Sequence, residues 1–126
     1  MKIVFTSCAR YNKKHLQNEW LSIYDKDPDH LLLLGDNIYM DWGFRILQPK
    51  LRSIRYFKKR MQKMYDLQWS NPNFEKLRNH MNEKNGFHGI WDDHDCGWNN
   101  INVASLNERN KAKIAYSRQQ FFEIYY

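Results

Sequence analysis

The stretch that decides the fold is LLLLGDNIY, residues 31–39. Four consecutive leucines predict a strand that is apolar on both faces, as central strands of parallel sheets are. The leucines run directly into Gly35 and Asp36, and Asn37 and Tyr39 follow closely. Because a carboxylate is costly to bury unless it is paired, Asp36 requires a partner at the end of this strand.

The segments around this strand predict a parallel sheet. Residues 2–7, KIVFTS, form a short β-branched and aromatic run typical of a strand. Residues 15–24, HLQNEWLSIY, carry apolar residues at helical spacing. Strand, helix and strand in this order predict a right-handed βαβ unit with adjacent strands. Residues 87–91, FHGIW, predict a third strand.

The remaining chain predicts three more helices. Residues 49–67 read as one long basic helix with Pro49 in its first turn, where proline is tolerated. Residues 72–83 and the segment from about residue 105 to the end also show helical spacing of apolar residues. The predicted fold class is therefore α/β, with three mainly parallel strands flanked by helices.

The composition describes a globular, basic chain. Its 126 residues suit one domain, or a part of one, and its 16% aromatic content argues against disorder. The net charge of +6 favours anionic partners such as phosphate esters, nucleic acid or a membrane surface, without choosing among them. The sequence shows neither a signal peptide nor a membrane span, so a cytoplasmic location with reduced cysteines is expected.

Each predicted strand ends in a polar cluster. The first strand runs into Ser7 and Cys8, and the second into Asp36 and its neighbours. The third runs into four residues that could all bind a cation, Asp92, Asp93, His94 and Asp95. Since the carboxyl ends of parallel strands share one edge of a sheet, we expect the three clusters to meet there.

Converging carboxylates repel one another unless their pKa values rise or a cation lies among them. Carboxylate and amide oxygens suit Ca²⁺ or Mn²⁺, whereas imidazole and thiolate also accept iron or zinc. A simpler interpretation remains for single residues, because Gly35 and Asp36 alone are common in a turn, and a lone cysteine is often a small buried apolar residue. The run from Asp92 to Asp95 favours a functional site more strongly, because capping a helix needs one acid rather than three.

Three motifs in order resemble the alkaline phosphatase D (PhoD-like) metallophosphoesterases. These motifs are FTSCAR, LLLLGDNIYMD and GIWDDHDCGWNN, each after a predicted strand, and the resemblance extends over residues 2–126. It implies a metal-dependent hydrolase of phosphomonoesters or phosphodiesters that uses iron and calcium. It also implies a partial αββα sandwich, with residues 1–126 as the N-terminal portion of the catalytic domain.

The resemblance assigns roles residue by residue. Cys8, Asp36 and Tyr39 match the iron-side ligands, with Asp36 placed to bridge two metals, and Asn99 matches the amide ligand of the second metal. Asp93 and His94 match the catalytic positions, where His94 would serve the phosphate while Asp92 or Asp95 orients its ring.

The sequence also departs from this family. Cys96 and Asn100 stand where an aromatic residue and an aspartate are more usual, and no histidine follows His94. The family takes further ligands and its second sheet from a later segment. We therefore expect a fragment or truncated member whose site is completed by a missing C-terminal half or by a partner chain.

Two further hypotheses concern function. The chain could be an inactive remnant, or it could bind nucleic acid through the basic run RSIRYFKKRMQK at residues 52–63. The basic run lacks residues that would read bases, and a solvated helix face also explains it. Nucleic acid is then expected only as a substrate or as a weak ligand of this basic patch, with no membrane partner.

Overall fold

The computed structural model describes residues 1–43 and 48–126. Its strands are β1 (Ile3–Thr6), β2 (His30–Leu34) and β3 (Phe87–Ile90). All neighbouring strands are parallel, and their order in the sheet is β1-β2-β3. The α-helices are α1 (Glu19–Tyr24), α2 (Ile54–Trp69), α3 (Pro72–Glu83), α4 (Asp93–Cys96) and α5 (Glu108–Tyr125), and short 3₁₀ turns cover Pro49–Leu51 and Val103–Ser105.

This architecture confirms the predicted α/β class and the parallel sheet with β2 at its centre. One face of the sheet packs on the helices. Leu31 and Leu33 are fully buried there, and the Phe87 ring lies 5.6 Å from Tyr125 of α5 and 6.2 Å from Phe74 of α3. Burial of these large apolar groups supplies the main stabilisation of the two layers.

The opposite face of the sheet is open among the described residues. Phe5 is 70% exposed and Ile90 is 55% exposed, and Ile3 and Leu34 are also exposed on this face. Parallel sheets normally have both faces covered. The open face agrees with the expectation of a partial sandwich that has one layer of helices.

The first helix is shorter than predicted, because α1 begins only at Glu19. Gln17 has a left-handed backbone, with φ at +50°, which a helix cannot continue through. Its side-chain oxygen accepts hydrogen bonds from three partners, Trp20 Nε1, Gln68 Nε2 and Asn71 Nδ2. The polar network, which no local periodicity reveals, therefore replaces the first turns of the predicted helix.

The prediction of one helix over residues 49–67 is wrong at its start. A 3₁₀ turn at Pro49–Leu51 is followed by a break, and α2 then begins after Ser53, whose hydroxyl accepts a hydrogen bond from the Tyr56 amide at 3.2 Å. A serine in this position caps a helix, so it marks a boundary. The prediction of a helix over residues 72–83 is confirmed by α3, which Asn71 caps.

The C-terminal helix starts at Glu108, a few residues later than predicted, and the sequence analysis did not predict α4. Within the described residues, no helix combines the length and the apolar character needed to cross a bilayer.

Candidate metal centre

Three loops at the carboxyl ends of the strands lie together, as the parallel topology predicts. The amide of Cys8 donates to the carbonyl of Gly35 at 3.2 Å, and the amide of Ala9 donates to the carbonyl of Asp36 at 3.0 Å. Asn37 Nδ2 donates to the carbonyl of Ile90 at 3.0 Å, which joins the second loop to the third. These bonds fix the three loops against one another.

Gly35 permits this close approach. Its φ is +93°, and a Cβ added there would lie 2.6 Å from the Cβ of Asp92. Any other residue would push the third loop away and would be strained by the positive φ. The glycine that follows the four leucines is therefore required by the contact between the second and third loops.

Asp36 lies at the centre of the site. Its Oδ2 accepts hydrogen bonds from the Cys8 thiol at 3.5 Å and from the Tyr39 hydroxyl at 3.3 Å. Its Oδ1 is buried and has no hydrogen-bond partner within residues 1–43 and 48–126. Buried carboxylate oxygens are normally paired. The unpartnered Oδ1 is thus an atom that a bound cation could neutralise.

The backbone around this carboxylate is unusual. Cys8 and Asp36 both have left-handed conformations, with φ values of +57° and +54°. Such residues persist where the surrounding structure imposes them, and they are enriched at functional sites. The two side chains are turned toward each other by this pair of tight loops.

The surroundings of Tyr39 keep its phenol neutral. Burial, the charge of Asp36 and the contact with Cys8 raise the pKa of Tyr39 well above its usual value of 10. A bound cation of high charge would reverse this effect, because a hard cation stabilises the phenolate. These surroundings therefore keep the Tyr39 hydroxyl protonated, whereas a bound cation would favour its ionisation.

Asp93 and His94, from the start of α4, complete the cluster. One ligand atom from each of Asp36, Asp93 and His94 lies within 4.8 Å of the other two. This spacing would let the three residues share one ion. The ring of His94 also packs on Tyr39, with their centroids 4.5 Å apart.

Asp41 orients His94, a role that the sequence analysis did not assign. Asp41 Oδ1 lies 2.6 Å from His94 Nδ1, which leaves Nε2 as the ring nitrogen for a cation or a phosphate. The only sequence signal is a second acid five residues after Asp36, in GDNIYMD.

The expectation that Asp92 or Asp95 orients His94 is wrong. These two acids form a capping box at the start of α4. Asp95 is 1% exposed, and its Oδ1 accepts the amides of Asn37 and Ile38, each at 2.8 Å. Burial raises the pKa of Asp95 to about 7, although its backbone hydrogen bonds act in the opposite direction. Asp92 and Asp95, two of the three acids in WDDHD, thus stabilise the local fold. Asp93 is the acid of this motif that remains available for ligation or catalysis.

Asn99 lies at the edge of the cluster. Its backbone amide donates to Asp41 Oδ2 at 2.9 Å, and the residue is exposed. The neighbouring amide of Asn100 donates to Asp93. The loop after α4 therefore holds the two acids in place through its backbone, and ligation by the Asn99 amide stays a prediction.

The donor set fits a metal ion. Carboxylate oxygens, a phenol, an imidazole and a thiol gather around or beside the Asp36 carboxylate. Its Oδ1 is buried and has no hydrogen-bond partner among the described residues. Oxygen donors suit hard cations, and the thiol and imidazole extend the range to iron or zinc. The donors alone do not select one metal.

Asp41→Asn should lower the pKa of His94. Burial lowers the pKa of His94. The hydrogen bond to Asp41 and the negative charges of Asp41, Asp36 and Asp93 outweigh burial, so the pKa is raised overall. A raised histidine pKa stabilises the fold below the ordinary value of 6.5, and this contribution is lost as the pH rises through the folded-state pKa. NMR titration of the His94 ring in chelator checks the change.

Asp66→Asn is the matched control for this titration, because Asp66 is exposed and contacts Gln62 on α2. An unchanged His94 pKa in Asp41→Asn would show that Asp41 does not govern the ring.

Comparisons with known proteins identify no relative of this chain. Searches against family models, curated proteins and solved structures found no match for this chain.

Proposed function

We propose that this chain carries one half of a metal-dependent phosphoesterase site, which hydrolyses phosphomonoesters or phosphodiesters. The observation that supports it most is the buried, unpartnered Asp36 Oδ1, with Cys8, Tyr39, Asp93 and His94 gathered around the same carboxylate or beside it. The resemblance of three ordered motifs to the PhoD-like phosphoesterases supports the phosphate-ester substrate. It also favours iron and calcium as the metals.

In this proposal Cys8, Asp36 and Tyr39 would hold the first metal, and Asn99 would contribute a ligand to the second. When bound, the metals would polarise the phosphoryl oxygens and lower the pKa of an attacking water. The water oxygen bonds to phosphorus in line as the bond from phosphorus to the leaving oxygen breaks. His94, with Nδ1 held by Asp41, donates a proton from Nε2 to that leaving oxygen. Asp93 lies beside His94, and its carboxylate accepts a hydrogen bond from the Asn100 amide. This bond would fix the loop after α4 next to the phosphate.

The open face of the sheet is consistent with a site that needs a further layer. We propose that a C-terminal half or a partner chain completes the metal shell.

Tyr39→Phe should remove a visible absorption band from the iron-loaded protein. Phenolate bound to Fe³⁺ gives a charge-transfer band, and the hydroxyl of Tyr39 lies 3.3 Å from Asp36 Oδ2. Titration of the wild-type chain with Fe³⁺ should produce the band, and the variant should bind iron without it.

Tyr116→Phe, on α5, is the control and should keep the band. Iron that binds the wild-type chain without colour would contradict ligation by Tyr39. Hydrolysis of bis(p-nitrophenyl) phosphate by the chain with added iron and calcium, and its loss in chelator, tests the activity itself.

A nucleic-acid-binding surface is the second candidate function. Arg55, Lys59 and Lys63 are exposed on α2. Binding through them would weaken steeply with salt, because phosphate contacts release counterions. Such binding would also survive substitution of Asp36, whereas phosphoester hydrolysis would not.

A further inference from the structure

A groove borders the candidate metal centre. It has a volume of about 350 Å³, and the described residues that line it include no acidic side chain. Tyr39 lies in the wall of the groove, and its hydroxyl contacts Asp36. A molecule whose phosphate reached the cluster could therefore extend past Tyr39 into this groove. A volume of this order suits a small organic ligand, since such sites commonly measure roughly 300–1,000 Å³.

The wall of the groove is cationic and aromatic. Arg10, Arg60 and Lys63 supply positive charge, and Tyr11, Tyr39 and Trp42 supply rings. Apolar side chains such as Ile38 and Met64 complete it. Cations and flat rings in one groove match a ligand that carries both an anionic group and a planar ring.

Arg10 is available to such a ligand. It follows Cys8 by two residues, and its guanidinium lies 3.9 Å from the centroid of the Trp42 ring. Neither Arg10 nor Lys63 has a carboxylate partner in the described parts of the chain. An arginine that stacks on an exposed tryptophan keeps its outer N–H groups for an anion.

The segment that carries Trp42 is held in place. Arg60 donates from Nε to the carbonyl of Met40 at 3.1 Å and from Nη2 to the carbonyl of Trp42 at 2.8 Å. The rings of Tyr39 and Trp42 meet edge to face, with centroids 6.4 Å apart. The aromatic part of the groove is therefore formed before any ligand enters, which reduces the entropic cost of binding.

We infer that this groove binds the leaving portion of a nucleotide-type substrate, a phosphodiester with a second phosphate that meets Arg10 and Lys63 while its base packs on Trp42. The inference rests on the proposed function, because the phosphate that reacts must reach Asp36. It narrows the substrate class from phosphate esters in general to those with a ring and a second anionic group.

Calorimetric titration with ADP in chelator tests the groove without catalysis. Wild-type chain should bind ADP more tightly than ribose 5-phosphate, which lacks the base, and more tightly than inorganic phosphate. Arg10→Met should weaken ADP binding by about 10-fold or more, because a charge-assisted contact is lost. Trp42→Leu should weaken the binding of ADP but leave that of ribose 5-phosphate unchanged.

Arg55→Met is the matched control, since Arg55 is exposed on α2 and lies outside the groove wall. Equal losses in Arg10→Met and Arg55→Met, or ADP that binds no better than ribose 5-phosphate, would overturn the inference. If Fe³⁺ gives no charge-transfer band with the wild-type chain while ADP binding depends on Arg10, the proposed function fails and the nucleotide groove stands.

Discussion

Asp36→Asn should reduce metal-dependent phosphoester hydrolysis by more than ~100-fold, because replacing even an outer partner of a metal ligand commonly costs ~10–100-fold. Asparagine preserves the shape of the side chain and tolerates the left-handed backbone at this position, where φ is +54°. The variant should therefore fold normally and lose the charge that would hold the proposed metal. Initial rates with bis(p-nitrophenyl) phosphate, and metal content after gel filtration, measure the two effects.

Asp25→Asn is the matched control for this variant, because Asp25 is an exposed acid at the end of α1. It should keep full metal content and full activity. Activity that persists in Asp36→Asn would remove the central ligand from the mechanism. Loss of activity with unchanged metal content would instead show that Asp36 takes part in the reaction while neighbouring residues bind the metal.

Asp95→Ala should cause the largest loss of stability among the acids of this chain. The carboxylate accepts amide hydrogen bonds from Asn37 and Ile38 at 2.8 Å and from Asp92 at 3.0 Å. Each buried donor left without an acceptor costs roughly 1–3 kcal/mol, so the free energy of unfolding should fall by about 3–5 kcal/mol. Urea denaturation followed by circular dichroism measures this loss.

Asp95→Asn separates the two oxygens of this carboxyl group. Its amide oxygen can keep the bonds to Asn37 and Ile38, while its NH₂ group would face the Asp92 amide. The loss should then be intermediate, about 1–3 kcal/mol. Asp92→Ala changes an exposed helix cap and should cost only about 1 kcal/mol. Equal stability of Asp95→Ala and Asp92→Ala would show that the buried network contributes little.

The substitutions at Asp36 and Asp95 test two different roles within one acidic cluster. Asp36 has an oxygen without a partner among the described residues, and a bound metal would supply one. Asp95 has its oxygens occupied by backbone amides that join the second and third loops. Loss of Asp95 would therefore also disturb the site, by releasing the loop that carries Asp36 from the helix that carries His94.

The sequence predicted the fold well where local patterns were strong. The four leucines gave the central strand, and α3 follows the predicted range of residues 72–83. The same reasoning failed at residues 15–18 and 52–53, where a polar network at Gln17 and a serine cap at Ser53 interrupt apolar periodicity. Periodicity reports which face is apolar, but it does not report side-chain hydrogen bonds that stop a helix.

The sequence by itself determined that three parallel strands end in polar loops, because strand direction and hydrophobic pattern are encoded locally and parallel strands share one carboxyl edge. Only the tertiary structure determined the role of each acidic residue in the cluster. Asp92 and Asp95 are used by the fold, Asp41 orients His94, and Asp36 keeps an unpartnered oxygen. The roles of Asp95 and Asp41 depend on bonds between residues more than 50 positions apart, and the chain brings such residues together only when the sheet forms.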